Sequence, residues 1–111
     1  MDDTRTELIE LKNFDDRNFN YLTQNFYIMR GALRYYSERL GTSFTSSDLA
    51  EDFPVTVPVA ASCLNALKQM DIVEARTESS SPDRYMPETV DMDKLEEIGD
   101  VLRENMEIKE F

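Results

Sequence analysis

Between residues 19 and 40 the side chains Phe19, Leu22, Phe26, Met29, Leu33, Tyr36 and Leu40 follow one another at intervals of 3, 4, 3, 4, 3 and 4. That alternation marks one face of a long α-helix and fits neither a strand nor a loop. Asp15 or Asp16 can cap its start, and Gly41 stands where a helix C-cap glycine belongs, so a helix is predicted over 16–40. Tyr21, Ile28 and Tyr35 recur every seven residues beside the stripe and widen the apolar surface. Two uses of so broad a surface are open. The helix forms the centre of the domain's own core, or one stripe faces the domain and the other a second subunit.

The other elements are shorter and sharply punctuated. Thr45 followed by Asp48 has the spacing of a capping box, with Ser46 and Ser47 as alternative caps, and Pro54 closes the helix predicted over 46–52. Thr56 can cap the next helix, with Pro58 in its first turn and Ala60, Cys63, Leu64, Leu67 and Met70 along its buried face. Two short extended runs, Ile72–Arg76 and Arg84–Met86, flank a polar tip at 77–83 and read as a β-hairpin that Pro87 ends. Leu95, Ile98, Val101, Leu102 and Met106 then stripe an acidic helix over about 91–108, which Asp91 or Asp93 can cap. Residues 1–14 form a short helix or a docking arm, with Leu8, Ile9, Leu11 and Phe14 as its apolar points. The expected fold class is mainly α with a small β-hairpin (α+β). It forms a single domain over 1–111, with an arm at 1–14, a helix-turn-helix and hairpin at 41–87 and an acidic C-terminal helix at 88–111.

Composition narrows the chemistry. The chain has no histidine and one cysteine, Cys63, so neither a disulfide within the chain nor a typical zinc site can be built. No histidine is available as a general acid or base, no base accompanies Ser79–Ser81, and no glycine-rich phosphate loop is present. The expectation is a protein that is not an enzyme and holds no cofactor and no metal. No apolar run suggests a secretory signal or a membrane span, so a cytoplasmic protein without a membrane partner is expected. Net charge is −11, of which residues 1–40 carry −1, residues 41–87 −4 and residues 88–111 −6. A surface of that sign repels nucleic acid on average.

Helix, helix, turn, helix, hairpin and helix is nonetheless an order with a meaning. In FTSSDLAEDF, VPVAASCLNALKQMDIVEAR and SSSPDRYMP the chain resembles the winged helix-turn-helix superfamily, in particular dimeric winged-helix transcriptional regulators of the multidrug-resistance and arsenic-sensor type. The resemblance implies that the helix from Pro58 to Met70 lies in the major groove of double-stranded DNA while the hairpin touches its backbone. On that reading the DNA-binding residues are Ser62, Asn65, Lys68 and Gln69 on the helix, with Arg76 and Arg84 on the hairpin. Asn and Gln suit adenine, and Lys suits guanine or phosphate. Asp71 departs from the pattern, standing in a turn where the family often has glycine. A homodimer is expected through Phe19, Leu22, Phe26, Met29 and Leu33, together with Leu95 and Leu102, and it would double a sparse set of cations. The function expected is a dimeric DNA-binding transcriptional regulator. The alternative is an acidic protein–protein interaction module that does not bind DNA.

Overall fold

A computed structural model describes residues 2–76 and 83–108 of the chain, the side chains of 2, 3 and 105–108 apart. Of the hairpin tip expected at 77–83, all but Asp83 lies outside the described residues, and so does the side chain of Met106. The helices are α1 (Asp2–Phe14), α2 (Asp16–Gln24), α3 (Phe26–Arg34), α4 (Ser46–Asp52), α5 (Val57–Gln69) and α6 (Met92–Ile108). Two short antiparallel strands, β1 (Ala75–Arg76) and β2 (Arg84–Tyr85), pair Ala75 with Tyr85 and Arg76 with Arg84. α2 packs across α5, α4 packs against α5 from another side, and α1 bridges α2 and α6. The fold class is thus mainly α with a small hairpin, as expected.

The long helix is not straight. It breaks at Asn25, whose amide side chain donates to the Tyr21 carbonyl at 2.9 Å while its own backbone N–H is shared between Tyr21 and Leu22. The Cys63 thiol of α5 donates to the same Tyr21 carbonyl at 3.4 Å. A side chain inserted into the helical ladder is a recognised cause of a kink, and here a neighbouring helix packs at the kink. Past Arg34 the backbone widens into a π-helical turn, Tyr35–Leu40, and stops at Gly41 in the left-handed conformation (φ 65°).

The break decides what the apolar stripe does. Phe19, Leu22, Phe26, Met29 and Leu33, with Leu95 and Leu102 of α6, are each no more than 5% exposed within the single chain. The seven residues expected at a dimer interface are therefore core residues. Kinking wraps the stripe around α5 and α6, so its side chains meet the chain's own helices before any second copy. Only Leu40, at the far end, stays largely exposed. Where α3 meets α6, Gly99 lets the helices close: a Cβ there would lie 3.0 Å from the Phe26 ring.

The expected caps are in place. Thr45 and Asp48 form a reciprocal capping box on α4, Thr56 accepts from the Val59 N–H on α5, and Asp91 accepts from the Lys94 N–H on α6. At the end of α5 the Ile72 N–H bonds to the Leu67 carbonyl and the Asp71 N–H to the Lys68 carbonyl. This is the Schellman closure of a helix, with Asp71 at φ 61° in the position glycine usually holds. The strands are shorter than the runs predicted for them. Ile72 and Val73 precede the ladder and are fully buried beneath the hairpin.

Two substitutions test this geometry. Asp71→Gly relieves a left-handed non-glycine residue and is expected to raise stability by about 1 kcal/mol. Gly99→Val drives a branched side chain into Phe26 and is expected to cost about 1–3 kcal/mol. Urea unfolding followed by circular dichroism measures both.

Candidate nucleic-acid interface

α4 and α5 meet at the short Phe53–Thr56 turn, and the outward side of α5 runs along Val57, Ala61, Asn65 and Gln69, all exposed. The hairpin stands beside it because of Phe44. That residue exchanges two backbone hydrogen bonds with Tyr85, at 3.0 and 2.7 Å, and so adds a one-residue third strand. Its ring stacks on Tyr36 at 4.4 Å between centroids and on Tyr85 at 5.8 Å. Phe53 meets Tyr36 edge-on, and the Tyr36 hydroxyl donates to Asp52 at 2.7 Å. These rings lock the hairpin, α4 and the end of the long helix into one unit.

Ala61, Asn65, Ser46, Asp83 and Tyr85 line a groove of about 400 Å³ between α5, the start of α4 and β2. Of the six residues expected to touch DNA, Asn65, Gln69, Arg76 and Arg84 are exposed and Ser62 and Lys68 are half-buried. Three of the six have partners inside the chain. Lys68 pairs with Asp83 at 3.3 Å, Arg84 donates to the Ser43 hydroxyl at 3.3 Å, and Gln69 donates to Asp15 at 3.0 Å. Gln69 therefore turns away from the groove, towards the α1–α2 junction. Asn65 and Asp83 line the groove and Lys68 reaches it through Asp83, whereas Arg84 bonds to Ser43 outside its lining. Ser46 also lines the groove, where the sequence marked it only as an alternative helix cap. No spacing in the sequence signals that Asp83 pairs with Lys68.

Chemically the surface offers hydrogen-bond donors and acceptors with few cations. Exposed Asn65 can pair bidentately with adenine, and Arg84 can reach phosphate. No group of three or more potential metal ligands is assembled among the described residues, and none of their helices is long and apolar enough to cross a membrane. Burial pushes the Cys63 thiol up to about 12, which leaves it protonated, so it behaves as a core group. Three acids of α6 are partnered within the chain while staying at its surface. Glu96 holds Arg30 and Arg34, Glu104 holds Arg5, and Glu97 accepts from Thr4. No known protein family, curated protein or solved structure matches this chain.

Burial, reinforced by Asp83, pushes the Tyr85 phenol from 10.0 up to about 12, and burial with the Asp52 contact raises Tyr36 further in the same direction. The fold holds both phenols neutral. Their contribution to stability is therefore complete below pH 10 and is lost as pH rises from 10 towards 12. The urea midpoint is expected to fall across that window, and Tyr85→Phe is expected to flatten the fall.

Proposed function

We propose that the chain is a winged-helix protein that binds double-stranded DNA through α5 and the hairpin and acts in transcriptional regulation. One observation carries the reading: α5 presents Asn65 and Ala61 to solvent beside a hairpin that bears Arg76 and Arg84. A winged helix needs that juxtaposition to lay a helix in the major groove while its wing rests on the backbone. The Phe44–Tyr85 pairing supports it, since it sets the hairpin's angle to α5.

Charge sets the strength. Firm binders neutralise roughly six to ten phosphates, each contributing about 0.9 to the dependence of log affinity on log salt. Here Lys68, Arg76 and Arg84 are the cations at hand, and Asp83 already holds Lys68. One copy should therefore bind weakly, with a salt slope of about −2 to −3. A homodimer that doubled the contacts would need a surface other than the buried stripe of α2, α3 and α6.

Fluorescence anisotropy at low salt, with labelled duplexes from a random pool and from the DNA flanking the coding sequence, tests the proposal. Wild type is expected to bind at micromolar protein. Arg84→Ala should weaken binding several-fold. Asp83→Asn should tighten it and steepen the salt slope by about 1, because Lys68 becomes available to phosphate. If neither wild type nor Asp83→Asn binds any duplex, DNA recognition is ruled out and a protein-binding role takes its place.

A further inference from the structure

On another face, the end of α1 and the end of α5 enclose a cleft of about 480 Å³. Leu11 and Met70, both almost fully buried, line it, and Phe14 stands beside it with 86% of its surface exposed. A phenylalanine so exposed, at a cleft floored by Leu11 and Met70 and rimmed by Glu7, Glu10, Asn13 and Gln69, has no role in this chain's own core. Aromatic rings at the edge of a pocket are the usual anchors of protein recognition, and methionine adapts its shape to what it contacts.

The charge around the cleft selects the occupant. Glu7 and Glu10 line it, Lys94 answers Glu7 at 2.8 Å, and Glu10 is exposed. Asp71, exposed, follows Met70 directly. An anionic ligand is repelled here. A second copy would bring the same acids against these, since a two-fold contact pairs a patch with itself. We propose that this cleft docks a short segment of a partner protein in which apolar side chains are flanked by lysine or arginine. The apolar groups would pack on the Phe14 ring above Leu11 and Met70, and the cations would answer Glu10 and Asp71. The proposal does not depend on whether α5 binds DNA.

The probe is a fluorescein-labelled dodecapeptide that interleaves Leu and Phe with Arg, alongside a counterpart with Glu in place of Arg. The full chain is titrated into each peptide, and the contact is located by chemical-shift changes in the labelled protein. The Arg peptide is expected to bind with shifts centred on Leu11, Phe14 and Met70, and added salt should weaken it. Phe14→Ser should weaken it roughly tenfold or more. Because that ring is exposed, the variant should keep the wild-type circular dichroism. Glu10→Arg should weaken binding several-fold and blunt its salt dependence, whereas Arg84→Ala should leave it unchanged. Absence of binding, equal binding by Phe14→Ser, preference for the Glu peptide or shifts elsewhere on the chain would each overturn the proposal. So would sedimentation showing that wild type self-associates and Phe14→Ser does not, since a second copy would then cover the cleft.

Discussion

The stacking and pairing of Phe44 is the contact from which the rest of the candidate interface takes its position. Its backbone is hydrogen-bonded to Tyr85, its ring lies between Tyr36 and Tyr85, and the next residue, Thr45, is the cap of α4. The hairpin, the end of the long helix and the start of α4 are thereby referred to a single residue. Asp52, at the other end of α4, is held by the Tyr36 hydroxyl, so the same ring cluster grips both ends of that helix. Aromatic pairs of this kind contribute about 0.5–1.5 kcal/mol each beyond simple burial. Their larger effect is geometric, because α4 packs on α5 and so fixes the surface that α5 presents.

Elsewhere the chain places its acids against its own bases. The buried stripe of Leu95, Ile98, Val101 and Leu102 docks α6, and its carboxylates then meet Arg5, Arg30 and Arg34. Exposed pairs of this type contribute little energy individually, typically below about 1 kcal/mol. They orient α6 while leaving Asp93, Glu97 and Asp100 exposed. Lys94 adds a further tie, reaching both the Met70 carbonyl at the end of α5 and Glu7 of α1.

The stretch from α4 through α5 was legible because its boundaries rest on local chemistry. Thr45 with Asp48, Thr56 with Pro58, and Gly41 each act on backbone groups within a few residues, and each stands as expected. The buried face Ala60, Cys63, Leu64, Leu67 and Met70 was equally plain from its spacing. What was not legible depends on contacts distant in sequence. Asn25 is an ordinary residue for a helix interior, and it breaks the helix where Cys63, 38 positions away, shares the Tyr21 carbonyl. Periodicity showed that Phe19 through Leu33 would be buried without showing against what, and a seam between subunits read the same as a core. In the same way, a count of cations revealed Lys68 but not the aspartate, 15 residues on, that holds it.

The ledger of charge separates two lengths. The ion pairs close at 2.6–3.3 Å, whereas the mutual repulsion of a chain with net charge −11 acts across a body whose radius of gyration is 13.4 Å. Dissolved electrolyte shortens electrostatic reach from about 10 Å at 0.1 M to about 3 Å at 1 M. It thus quenches the long-range repulsion while sparing much of the contact attraction, and brine should make this chain harder to unfold. Any hold that Lys68, Arg76 and Arg84 take on a polyanion obeys the opposite rule, so the conditions that best preserve the molecule are those in which such a grip is loosest.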